Sequence, residues 1–174
     1  MSITTKIGDK GFTSLLFGGS DSKDSLRIES CGTLDELCSF LGLAKSLTKD
    51  KKAKAVIEDI QRDLIIIGAE IASEKSHIHK LRQRINGNDI ARLEALIKAL
   101  EKKYLAKMRY FVLPGENTLS AVLDITRTVA RKAERRAVQL ERAKALKNVL
   151  IIVYLNRLSD LLFLMARSYE KSRR

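Results

Sequence analysis

Tryptophan is absent from this chain of 174 residues, proline occurs once and cysteine twice, and aromatic residues make up 5% of it. So few rings leave little to stack unpaired bases on, which weighs against single-stranded nucleic acid as a ligand. Cys31 and Cys38 lie seven apart in a helical pattern, about 10 Å between Cα atoms by helix rise, which is too far for a disulfide. They show neither CxxC spacing nor a nearby histidine and read as buried thiols. No apolar run approaches the roughly 18 to 20 residues that cross a bilayer, and the first charges, Lys6 and Asp9, do not make a signal sequence. No membrane role and a cytoplasmic location are therefore expected. The lone proline, in Pro114-Gly115, marks a break between two helical patterns.

Basic charge is in excess, and it is uneven. Residues 1–87 carry 14 basic and 12 acidic groups, residues 88–174 carry 19 and 9, and the whole chain has a net charge of +12. Such an imbalance favours a polyanionic partner: nucleic acid, an acidic membrane surface or a nucleotide polyphosphate. A solvated basic face is the plainer meaning of the same excess.

Four of the nine glycines, Gly8, Gly11, Gly18 and Gly19, fall in TTKIGDKGFTSLLFGG, among hydroxyl and ammonium side chains. Glycine lets backbone N–H groups approach an anion closely, so the segment reads as a phosphate-gripping loop. Neither P-loop nor GxGxxG spacing is present. A mobile arm, or a hairpin around Gly8 to Gly11, fits the spacing equally well.

Beyond the loop the apolar spacing is helical. Ile57, Ile60, Leu64, Ile67 and Ile71 repeat at alternating intervals of three and four, as do Ile90, Leu93, Ile97, Leu100 and Tyr104. The spacing predicts helices over 25–47, 51–74, 88–107, 117–145 and 148–170, with Asn88 and Asn117 as N-caps of the third and fourth. The expected fold is all-α: one domain over 1–174, with a nucleotide-binding loop over 1–24 and a bundle of four or five antiparallel helices over 25–170. His77 and His79, between the second and third helices, lack a carboxylate or cysteine at metal-site spacing and read as exposed loop residues.

The fourth helix carries Arg127, Arg131, Glu134 and Arg135 at i, i+4, i+7 and i+8, beside a core face running from Leu119 to Leu140. Three arginines around one glutamate suit phosphate oxygens, which guanidinium forks bind in pairs; a solvated face remains open on spacing alone. On the fifth helix Asn156 and Asp160 sit four apart beside core positions, where a buried amide needs a hydrogen-bond partner in protein or ligand. In GTLDEL, Asp35 is flanked by apolar residues, so an acid buried there needs a cation.

Five blocks, TKIGDKGFTSL, SKD at 22–24, GTLDEL, TRTVARKAERR and YLNRLSDLLFLMAR, resemble in order and spacing the ATP:cob(I)alamin adenosyltransferases of the propanediol-utilisation type. The resemblance implies a helical bundle assembled as a homotrimer, with active sites between subunits. Thr5, Lys6, Ile7, Gly8, Thr13, Ser14 and Lys23 would fold over ATP. Arg131, Glu134, Arg135 and Asn156 would complete that site from the adjoining subunit, with Mg²⁺ on the triphosphate. Asp35 would pair with Arg127 across the interface, and Phe111 would lie against the corrinoid and displace its lower axial base. The implied reaction is attack of Co(I) of cobalamin on the ribose 5′-carbon, releasing inorganic triphosphate. Arg131 would stabilise the leaving group, and a separate electron donor would supply the reduced cobalt. Lys132 and Glu116 stand where the family often has an arginine and a glycine. Two rivals stay open: a basic helical module that binds nucleic acid, and a non-catalytic ATP-sensing homologue.

Overall fold

The computed structural model describes residues 6–104 and 112–170. Thr5 and Phe111 lie outside the described residues. A one-turn 3-10 helix, Ile7–Lys10, leads into a hairpin of β1 (Phe12–Ser14) and β2 (Ser20–Ser22), and then come α1 (Leu26–Leu47) and α2 (Lys51–Ile71). A second 3-10 helix, Lys75–Lys80, precedes α3 (Gly87–Tyr104), α4 (Thr118–Arg142) and α5 (Leu150–Ser168). The five expected helices form. The all-α expectation needs one correction, because the glycine segment folds as an antiparallel ribbon in which Phe12 pairs with Ser22, Thr13 with Asp21 and Ser14 with Ser20. The hairpin turns at Gly18 and Gly19, with φ of 106° and 87°, rather than around Gly8 to Gly11. Only glycine takes such angles without strain.

Helix ends follow from local chemistry. Ser25 caps α1 by accepting the Ile28 N–H, and Asp50 caps α2 by accepting those of Lys52 and Ala53. Asn117 and Ser120 make a reciprocal capping box on α4. Asn88 is not the cap of α3. The helix begins at Gly87, and the Asn86 side chain accepts the Asn88 N–H at 2.9 Å while Asp89 accepts the Asn86 N–H at 3.0 Å. Helix α2 stops at Ile71 rather than residue 74 because the next backbone is used elsewhere: Leu16 N–H donates to Ala72 O at 3.0 Å, and Leu16 bridges Ser73. Arg27 fastens the same corner, donating to the carbonyls of Ile71 and Ser73.

Helix α1 packs on α2 and α4, and α5 packs on α4 and α3. Leu37, Ile60, Leu93, Leu123, Tyr154 and Leu158 supply fully buried side chains from all five helices. Truncating any one aliphatic member to alanine costs about 2 to 5 kcal/mol. Two buried carboxylates on α2 close the ring. Asp63 accepts the Tyr154 hydroxyl at 2.5 Å and pairs with Arg92, joining α2 to α5 and α3. Glu70 accepts Ile85 N–H at 2.7 Å and the Asn148 amide at 3.0 Å, holding both loops beside it. Burial raises the pKa of both above the ordinary carboxylate range, against the hydrogen bonds that lower it.

Candidate functional site

Two groups of predicted residues each come together. In the first, Lys6 takes a left-handed φ of 58° at the entry to the 3-10 turn, and Gly8 faces Lys23 so closely that a Cβ would lie 2.9 Å from its Nζ. The Lys23 N–H donates to Gly11 O at 2.8 Å. The exposed ammoniums of Lys6 and Lys23 thus flank a glycine turn whose first residue is Ile7, with Thr13 and Ser14 on the adjoining strand.

In the second group, Arg131, Glu134, Arg135 and Asn156 line a hollow of about 440 Å³ between α4 and α5. Asn156 Nδ2 donates to Glu134 at 3.0 Å. Gln139 and Arg142 line it as well. Arg142 escaped the motif reading, yet it continues the arginine stripe, eleven residues beyond Arg131 and seven beyond Arg135. A hollow walled by three guanidinium groups fits a polyphosphate, whose oxygens accept the paired N–H donors.

A larger hollow, about 720 Å³, adjoins the first and shares Arg131 with it; α3, α4 and α5 form its walls. Arg127, Arg157 and Lys98 line it together with the acids Glu94 and Glu101, and Ile97, Phe163 and Leu164 supply its apolar lining. Arg131 therefore faces both spaces, one polar and small, the other wider and partly apolar. Asp160 lies at the larger hollow and is exposed.

Other expected residues fall elsewhere. Asp35 is not buried: it is exposed on α1, and no described residue makes an ion pair with it in this chain. Its apolar neighbours Leu34 and Leu37 point inward while one helical step turns Asp35 outward. Arg127 donates from Nε to Asp124 at 3.1 Å, and Asp124 also pairs with Arg167 inside the bundle. Lys132 leaves the stripe altogether and binds Glu36 of α1 at 2.7 Å, so no guanidinium fork is needed there. Cys31 and Cys38 are free and half-buried beside Asp35; burial first, then the Asp35 charge, pushes the Cys31 thiol up to about 11. His77 and His79 belong to no group of three metal-ligating side chains among the described residues; His77 Nδ1 is buried without a partner there. Among those residues no helix is long and apolar enough to cross a membrane.

The sequence profile of a family described as cobalamin adenosyltransferase matches residues 3–169. A corrinoid adenosyltransferase of Citrobacter freundii is 39% identical over 168 residues, covering 97% of this chain and 94% of that protein. One from Bacillus subtilis is 37% identical over 171 residues, covering 96% and 86%. Among solved structures, a phenylalanine-to-alanine variant of a PduO-type ATP:corrinoid adenosyltransferase from Lactobacillus reuteri, complexed with cobalamin and ATP, superposes with a TM-score of 0.88. It is 32% identical and the match covers 95% of this chain and 92% of that one.

Proposed function

The chain belongs to the cobalamin adenosyltransferase family, and from that membership we propose that it transfers the 5′-deoxyadenosyl group of ATP to cob(I)alamin, yielding adenosylcobalamin and inorganic triphosphate. The observation that carries the reading is the pair of hollows meeting at Arg131: one ringed by guanidinium groups, the other wider and partly apolar. Co(I) attacks C5′, the cobalt–carbon bond forms, and the C5′–O bond breaks with its electron pair leaving on triphosphate. The nucleophile is the substrate's own metal, so the protein supplies position and charge rather than a base.

The arginine hollow holds the triphosphate with its Mg²⁺, and Arg131 meets the charge that grows on the leaving group. Phe111 serves as the apolar group against the corrinoid. The loop residues Thr5, Lys6, Ile7, Gly8, Thr13, Ser14 and Lys23 close the nucleotide site from a neighbouring subunit of a homotrimer. That arrangement is supported by the absence, among the described residues, of any hydrogen bond or ion pair between the loop and the arginine hollow within one chain. An exposed Asp35 lacking a cation of its own chain supports its pairing with Arg127 of a neighbour. A separate one-electron donor reduces Co(II), since the sequence holds no flavin or cluster motif.

Incubating the protein with MgATP and chemically reduced cobalamin tests the reading. Adenosylcobalamin, identified by its visible spectrum and its photolysis, is expected. A protein that binds nucleic acid tightly, or binds ATP alone, and forms no product overturns it.

A further inference from the structure

A line of four side chains runs from α3 to the arginine hollow. Glu94 accepts from Arg157 Nε at 3.0 Å, Arg157 Nη1 donates to Asn156 Oδ1 at 2.8 Å, and Asn156 Nδ2 donates to Glu134 at 3.0 Å. Glu94 and Arg157 line the larger hollow, and Asn156 and Glu134 the smaller. We propose that Arg157 is a positioning residue for ATP: it fixes the Asn156 amide in one orientation in the nucleotide hollow and ties that orientation to the position of α3. The proposal rests on the nucleotide reading of that hollow.

The chemistry is directional. An amide has a donor end and an acceptor end of nearly equal size, and shape alone does not choose between its two flips. Here a carboxylate takes the donor end and a guanidinium the acceptor end, so a flip would set Oδ1 against Glu134 and Nδ2 against Arg157. Both contacts would be repulsive. Arg157 reaches two acceptors in different directions because Nε and Nη1 are held in one plane; a lysine ammonium on a flexible stem has no such fork. The Arg157 and Glu94 side chains are 36% and 51% exposed, and ion pairs at that exposure add little to folding. What the pair contributes is placement of Asn156 rather than stability.

A double-mutant cycle on MgATP binding, read by equilibrium titration without corrinoid, tests this in four proteins: the parent, Arg157→Lys, Asn156→Ala and the double variant. Arg157→Lys is expected to weaken MgATP binding about tenfold in the parent but less than about twofold when Asn156 is already alanine, because coupled residues are non-additive. Melting temperature should not change, and Glu94→Gln should give a smaller loss with the same dependence on Asn156. A purely structural role would lower the melting temperature and weaken binding equally in both backgrounds. Equal losses in both backgrounds, or no loss in either, in a parent that binds ATP would overturn the role of Arg157 and leave the function standing. A parent that neither binds ATP nor forms adenosylcobalamin would overturn both.

Discussion

Arg167 of α5 and Asp124 of α4 meet inside the bundle, 5% and 4% exposed, with guanidinium on carboxylate; the other carboxylate oxygen accepts Arg127 Nε at 3.1 Å. Asp124 thus anchors a buried cation on one side and holds a site-facing arginine on the other. Replacing Asp124 with asparagine removes one of the two buried counter-charges of Arg167, Glu170 at 3.1 Å being the other, and removal of one partner of a buried pair costs at most about 3 to 5 kcal/mol. Urea unfolding is expected to show a loss of that size. A change under about 1 kcal/mol, the worth of an exposed pair, would mean the pair is solvated.

Arg127→Ala should act differently. Its side chain is 25% exposed, so folding of the single chain should suffer less than with Asp124→Asn, while assembly loosens because Asp35 of a neighbour loses its cation. Sedimentation at micromolar concentration checks this. A parent that is monomeric, or a variant that assembles as tightly as the parent, rejects the pairing.

Deleting residues 1–24 removes the hairpin and the one-turn 3-10 helix but none of the five α-helices. The far-UV circular dichroism should keep its helical form while MgATP affinity is lost. Unchanged affinity in the truncated chain would take the loop out of the nucleotide site.

Arg131→Ala and Phe111→Ala should separate under different supplies of cobalt. Losing a charge donor to the leaving group costs about 10²-fold or more in turnover, whatever the source of Co(I). Phe111→Ala should fail mainly when Co(II) has to be reduced on the enzyme, so preformed Co(I) restores it far more than it restores Arg131→Ala. Equal rescue of the two variants would contradict these assignments.

Asp63 gives a test by pH. Its carboxyl is raised by burial, so the folded state holds that proton more tightly than the unfolded chain. Stability from this group is therefore lost as pH rises from the ordinary Asp value of about 4 through the raised one. Asp63→Asn, which cannot ionise, should gain on the parent across that window in urea melts at stepped pH. A variant that falls behind the parent as pH rises would reverse the sign.

The helices were legible because their apolar residues repeat at three and four over many turns, as Ile57 to Ile71 show, and their burial follows directly. The arginine stripe was legible for the same geometric reason. The hairpin was half hidden: its strands are three residues each, too short for an alternating pattern to emerge. Partners distant in sequence were not visible. Lys132 finds Glu36 ninety-six residues away, and nothing in either segment announces it. The Asp35 environment was legible only in part, because apolar neighbours in sequence say which face is inside, and within its own chain the acid does not share that face. Arg157 stayed unseen since its role depends on which way an adjacent amide points, a matter of side-chain geometry and not of spacing.

At Gly19 a Cβ would stand 2.6 Å from Glu74 Oε1, at a backbone angle that already disfavours any side chain. Position 19 is therefore not free to drift on its own. Any descendant that acquires a side chain there must rewind the turn, because a φ of 87° strains every residue but glycine, whereas the Glu74 carboxylate is the free end of a flexible side chain and swings aside. The glycine loop can diversify along Phe12–Ser14 and Ser20–Ser22 while the Leu16 backbone, bonded to Ala72 and bridged to Ser73, keeps it fastened to the end of α2.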